Sequence, residues 1–290
     1  MRLAVVAARP TQTNLGFARV VRAGLRVEAL TPAQAVERLS RGDVAVGRLD
    51  VLPTLDGIDD GLWALGALAA RGVTVLNPAE ALIAAHDKLV TAWILRHAGL
   101  PHPETSMVRG DRPEPQLEPP VVVKPRFGSW GRDVTRCDDA NALRAELERI
   151  KDFPWYRRHG ALVQELVPPR GHDMRIVVAG DRAIGAVSRV AAPGEWRTNV
   201  ALGATRRPVV PPPDAVRTAL AAARASSAAL VGVDLLPTAA GRWTVIELNG
   251  AVEFTPEYAR GRDVFVDACL ALCRAARRRP RRAPAPAAAA

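Results

Sequence analysis

The sequence predicts a small α/β unit followed by a larger α+β unit. Three observations point to this. Apolar strand-like runs alternate with helical periodicity from residue 2 to residue 77. Two later stretches, 174–190 and 231–249, read as antiparallel hairpins. Capped helices with no internal repeat join and follow them.

The elements follow in order. RLAVVA (2–7) reads as a strand, then a loop RPTQTN and a helical stretch. DVAVGRL (43–49) is a second strand, 58–71 is helical, and GVTVLN (72–77) is a further short strand. Pro78 opens the helix AEALIAAH, and Asp87 caps the next one, KLVTAWILRHAG, which Gly99 and Pro101 close. The Pro-rich segment 110–120 reads as a surface connection. PVVVKP (120–125) is a buried β-branched strand, FGSWGR a Gly-containing loop and DVTRC a short strand. Asp138 or Asp139 caps a helix running to about Ile150, and ALVQEL (161–166) is a strand. Gly180-Asp181 turns the first hairpin, a helix spans 214–229, and the second hairpin turns in AAG. An amphipathic helix over 262–277 ends the pattern.

At roughly 100–200 residues per domain, 290 residues allow about two domains. Apolar residues make up 48% and mean hydropathy is +0.00, which supports a packed core. No apolar run approaches the ~18 residues of a membrane span. The run Leu3 to Ala8 is too short for a secretory h-region, so a cytoplasmic protein without a membrane partner is expected. Cys137, Cys269 and Cys273 show neither CxxC spacing nor a partner His, and read as small buried hydrophobes.

Net charge is +10, but six arginines fall within 274–282, so the rest of the chain carries +4. The end, APAPAAAA, is low in complexity, and residues 276–290 read as a disordered tail rather than a nucleic-acid arm. Only three of the 40 basic residues are Lys: Lys88, Lys124 and Lys151. Where Arg is the default cation, a retained Lys marks a place that needs a compact ammonium.

Alternation puts Glu247 and Asn249 on one strand face, ~7 Å apart. A turn centred in AAG sets Asp234 almost opposite Glu247. Three hard oxygen donors interrupting apolar strands suit Mg²⁺ or Mn²⁺; a solvent-facing sheet would also tolerate them. Lys124 leaves a strand into a loop where Gly128 and Gly131 let backbone N–H groups approach an anion. The loop is not a Walker A motif, and by itself it is compatible with an ordinary turn. Gln164-Glu165-Leu166 ends a strand, and Asp173 follows eight residues after Glu165; the pair suits a nucleoside, with backbone for the base and carboxylate for ribose. Arg175, Arg189 and Arg197, with Asn199 beyond, suit stabilisation of a transferring phosphate.

In this order the pieces resemble the ATP-grasp superfamily, and within it the RimK and LysX group, over about residues 1–275. The stretches are LNPAEALIAAHDKLVTAWIL, VVVKPRFGSWGRDV, VQELVPPRGHDMRIVVAGDRAIGAVSRVA, EWRTN and VGVDLL…VIELN. The resemblance implies an ATP-grasp fold: a Rossmann-like α/β domain over 1–85, then an ATP-grasp domain over 86–275. Its two α+β lobes, about 100–165 and 166–275, would sandwich ATP.

By position the resemblance implies that Lys88 and Lys124 bind nucleotide and that Gly128, Ser129, Trp130 and Gly131 form a mobile loop over its phosphates. It matches Gln164, Glu165 and Leu166 to the adenine edge and Asp173 to the ribose acid, with Arg175 also on the nucleotide. Arg189 and Asn199 match residues near the γ-phosphate and acyl-phosphate, and Asp234, Glu247 and Asn249 the metal ligands. Catalysis is expected from Lys124, Arg189, Arg197 and Asn199, and substrate groups from Arg9 to Asn14 and Arg197. Where the family has an Arg-Gly-Gly stretch after EWRTN, this chain has Ala201-Leu202-Gly203-Ala204, and a Lys usual in the preceding loop is replaced by Ala191 or Ala192.

The implied activity is an ATP- and Mg²⁺-dependent ligase making an amide through an acyl-phosphate, with an amino acid such as glutamate and a carboxylate as substrates. An acidic carrier protein or peptide is the partner, and a homodimer or homotetramer the assembly. The rivals are a nucleotide-binding protein without catalysis and a nucleic-acid binder acting through the tail. The latter is disfavoured by five Phe, two Tyr and no stacking motif.

Overall fold

Parallel pairing organises the first part of the computed structural model, which describes residues 1–110 and 114–278. Strands β1 (Arg2–Val6), β2 (Arg26–Leu30), β3 (Val44–Gly47) and β4 (Thr74–Leu76) form a parallel sheet of order β2-β1-β3-β4. Helices α1 (Gln12–Ala18), α2 (Pro32–Arg38) and α3 (Leu62–Ala70) connect them. The expected helix over 58–71 is shorter, because Ile58 bridges Val51 and Gly61, at φ 133°, precedes the first helical residue. Strand β2 and helix α2 were not anticipated. Their signal is local: Thr31 and Gln34 form a reciprocal capping box ahead of Pro32.

Helices α4 (Ala79–His86) and α5 (Lys88–His97) meet at Asp87 as expected. It ends α4, caps α5 through Leu89 and Val90 N–H, and takes a fork from Arg126. The next sheet is antiparallel: β5 (Thr105–Val108), β6 (Val121–Pro125), β7 (Thr135–Cys137) and β8 (Ala161–Glu165), ordered β5-β8-β6-β7. Helices α6 (Ala140–Ile150) and α7 (Pro154–His159) bury Leu143, Ile150 and Trp155 against it. Asp139, not Asp138, caps α6.

The third sheet holds β9 (His172–Ala179), β10 (Arg182–Val190), β11 (Thr205–Pro208), β12 (Leu230–Pro237) and β13 (Trp243–Asn249), ordered β11-β10-β9-β12-β13. Met174, Ile176 and Val178 pack under helix α8 (Pro213–Ala225). On the opposite face, Val177 and Ala179 join a core with helix α9 (Val264–Arg278), Phe254, and Leu3, Val5 and Phe17 of the first unit. That core therefore runs across the expected boundary near residue 85. Residues 276–278 belong to α9 rather than to a disordered tail; 279–290 lie outside the described residues, as do 111–113 of the Pro-rich connection. No helix among the described residues is long and apolar enough to cross a membrane.

Candidate active site

The face of the third sheet that carries Val177 is apolar under α9 and charged towards the other strand ends. Side chains directly opposite one another on neighbouring strands share a face. One row therefore reads Arg206, Arg189, Asp173 across β11, β10 and β9; the next reads Arg175, Asp234, Glu247 across β9, β12 and β13. The second row depends on a bulge. Leu235 pairs with Val245, but Asp234 pairs with Glu247, so Ile246 has no opposite number.

These charges neutralise one another. Arg175 donates to both oxygens of Asp234 at 2.6 and 2.7 Å. Arg189 donates to Asp234 at 2.8 Å and forks onto Asp173, whose second oxygen also accepts from Thr198. Burial opposes ionisation of Asp234, yet Arg175 and Arg189 outweigh it and hold that carboxyl well below the usual range. Burial pushes Asp173 up, and Arg189 offsets this only in part.

Between the second and third sheets lies an inner cleft of ≈ 140 Å³. Lys88, Lys124, Gly128, Ser129, Gly131, Gln164, Glu165, Leu166, Asp173, Arg189, Arg197, Asn199, Asp234 and Glu247 all line it. Lys124 is buried, and its Nζ donates to Gln164 Oε1 at 2.7 Å. Burial, then the neighbouring Lys88, lowers its pKa to about 7. Gln164 in turn donates to Thr105 Oγ1 at 2.7 Å. Lys88 Nζ sits 2.9 Å from Glu247 Oε1 and donates to the Gly128 carbonyl at 2.5 Å. Arg197 Nη1 donates to the carbonyls of Gly131 and Val134, both at 3.1 Å, while Nε and Nη2 fork onto Glu195. Its guanidinium thus ties the Gly loop to the 195–199 segment.

Three of the expected site residues, Trp130, Arg175 and Asn249, line instead an adjoining outer cavity of ≈ 380 Å³. Its other wall comes from the first unit: Arg9, Pro10, Thr11 and Asn14, as expected, together with Arg48, Asp50 and Asp59. Arg48, Asp50 and Asp59 belong to no motif read in the sequence, and Glu253 stands there only within the LysX-like ending 249–254. Arg48 is buried, with Nε donating to Asn14 Oδ1 at 2.7 Å, Nη1 to the Val252 carbonyl at 2.8 Å and Nη2 to Glu253 at 2.9 Å. A charged residue directly after an apolar strand was the available signal, but its partners lie 34 positions away at Asn14 and 203–205 positions away at Ala251, Val252 and Glu253. Ser129, Arg189, Asn199 and Glu247 line both cavities, so the two share a border.

Glu247 lines both cavities, Asp234 the inner cleft and Asn249 the outer cavity, and their oxygens are of the hard type that suits Mg²⁺ or Mn²⁺. Asp234, Glu247 and Asn249 offer oxygen as their ligating atom, and Glu247, 27% exposed, is ion-paired with Lys88 alone among the described residues. Asp234 accepts three bonds from arginines, of about four its carboxylate can take.

A family model described as "RimK-like ATP-grasp domain" matches residues 85–267. A tetrahydromethanopterin:alpha-L-glutamate ligase of Methanosarcina acetivorans is 30% identical over 212 residues, covering 67% of this chain and 65% of its own. The alpha-aminoadipate–LysW ligase LysX of Saccharolobus solfataricus is 31% identical over 188 residues, covering 63% and 68%. The chain thus spans just under two thirds of the first of these relatives. Among solved structures, a RimK domain ATP-grasp protein from Sphaerobacter thermophilus superposes with a TM-score of 0.64 at 23% identity, over 94% of this chain and 100% of that one. A D-alanine–D-alanine ligase from Bacillus anthracis, complexed with ATP, gives 0.68 at 15% identity, over 96% and 97%. Both structures share the fold.

Proposed function

The chain belongs to the RimK-like ATP-grasp family, and on that premise we propose that it is an ATP-dependent carboxylate–amine ligase. The observation that carries this reading is the border that Ser129, Arg189, Asn199 and Glu247 form between the two cavities. A phosphate donor in the inner cleft and a carboxylate in the outer cavity would meet there.

In this reading the adenine lies along Gln164, Glu165 and Leu166, and the ribose lies towards Asp173. Lys124 and Lys88 face the phosphates beneath the 128–131 loop. The substrate carboxylate attacks the γ-phosphorus, forming an O–P bond as the bond to ADP breaks. Arg189 and Asn199 border the point of transfer, where fixed donors stabilise developing charge. An amine then attacks the acyl carbon; the C–N bond forms, phosphate leaves with the C–O bond, and the amine proton passes to solvent. Asp234, Glu247 and Asn249 would hold Mg²⁺ or Mn²⁺, which supplies charge neutralisation on the phosphates. Arg197 keeps the Gly loop closed, excluding water that would hydrolyse the acyl-phosphate.

An acidic peptide or carrier protein suits the carboxylate role, since a chain of net charge +10 attracts such partners. The test is phosphate release from ATP with Mg²⁺, screened against amino acids and short acidic peptides, with Glu247→Ala as control. Substrate-dependent release that disappears in the variant and on chelation is expected. A protein that binds no ATP would sink the reading.

A further inference from the structure

We propose that the outer cavity takes an amino acid with one carboxylate and an apolar side chain, rather than a dicarboxylic amino acid. This rests on the ligase reading above.

The first observation is an apolar wall. Of the large apolar side chains left exposed among the described residues, Trp130 (44%) and Val200 (43%) are the two that line this cavity. Ala201, also exposed, lies beside them in a 3₁₀ turn that Gly203 closes at φ 91°. Apolar surface facing a concave site gains by being covered by an apolar ligand group.

The second observation is the state of the cations. Arg9 is held by Asp59 at 2.8 Å, and Arg48 by Glu253 and two backbone carbonyls. Arg175 and Arg189 are forked onto Asp234 and Asp173. Arg206 has the loosest partner, Glu257 at 3.5 Å, and remains 32% exposed. One loosely held guanidinium matches one carboxylate. A second carboxylate would have to compete with Asp59 for Arg9, which is 46% exposed but held at 2.8 Å, in a cavity that Asp50, Asp59 and Glu253 also line. The segment Ala201-Leu202-Gly203-Ala204 adds none.

The test is titration calorimetry on protein loaded with Mg-ADP, using L-leucine, L-phenylalanine, L-glutamate and L-2-aminoadipate. The two apolar amino acids should bind at least about tenfold more tightly, roughly the effect of burying two methylene groups. Ala201→Arg should reverse the order. Equal or tighter binding of the dicarboxylic pair, or binding of none of the four, overturns the proposal. Phosphate release with the same panel separates the two claims. Release driven only by glutamate defeats this inference and leaves the ligase standing. Binding of leucine without release from any pair defeats the ligase.

Discussion

Asp234 and Glu247 face the same cleft because β13 carries one residue more than β12 between their paired positions. In an unbroken ladder Asp234 would stand opposite Ile246, and Glu247 would lie on the other face. The bulge at Ile246 keeps both carboxylates on one side, with Lys88 Nζ 2.9 Å from Glu247 and two arginines on Asp234.

Removing the Asp234 carboxylate should be costly. Arg175 and Arg189 are both largely buried against it, and a buried charge left without its partner typically costs about 3–5 kcal/mol. Asp234→Ala should therefore lower unfolding free energy by about that amount in urea titration; a loss under ~1 kcal/mol would contradict the role. The same pairing sets a pH dependence. A carboxyl held below its usual range stabilises the fold above pH ~4 and loses that contribution as pH falls further. Wild type should lose stability below pH ~4, and Asp234→Asn should lose less over the same range.

Lys124 has its pKa lowered to about 7, chiefly by burial and then by Lys88. A polyphosphate beside it favours the charged form and raises that value. Nucleotide binding at pH 8 should therefore take up protons, and at pH 6 it should take up few. Calorimetry in buffers of different ionisation enthalpy measures this directly. Lys124→Met should abolish the uptake and weaken ATP binding by about tenfold or more; unchanged uptake would place the proton elsewhere.

Arg197 acts through the loop it holds. Losing its bonds to the Gly131 and Val134 carbonyls should free the 128–134 segment. Arg197→Ala should lower kcat by about 10–100-fold and raise ATP hydrolysis in the absence of amine, because closure excludes water. Limited proteolysis should cut within 128–134 more readily than in wild type. A fall in kcat with neither increased cleavage nor uncoupled hydrolysis would argue for a direct role at the phosphate instead.

Gly131 sits at φ 72°, and a Cβ there would lie 2.7 Å from Asn199 Oδ1. Gly131→Ala meets both the left-handed backbone penalty, about 1 kcal/mol, and that clash. Phosphate release should fall by about tenfold or more while the thermal midpoint moves only a few degrees. Full activity would mean that the loop does not need this approach to Asn199.

Much of this molecule was legible from neighbours within a few positions. A β-branched run marked β6, turn residues between strand-like runs marked both hairpins, Asp87 and the pair Asp138-Asp139 announced their helices, and the lysines retained in an Arg-rich chain, Lys88 and Lys124, line the inner cleft. Each of these signals is written in local backbone preference or side-chain period. The tertiary structure decided what local preference does not encode. It set the bulge at Ile246 and turned Gln164 onto Lys124. It closed Arg48 against Glu253, some 205 positions away, and sorted Trp130, Arg175 and Asn249 into the outer cavity. Those outcomes depend on which faces three sheets and α9 bury together, and the cost of an unpaired buried charge selects the partners only once those faces have met.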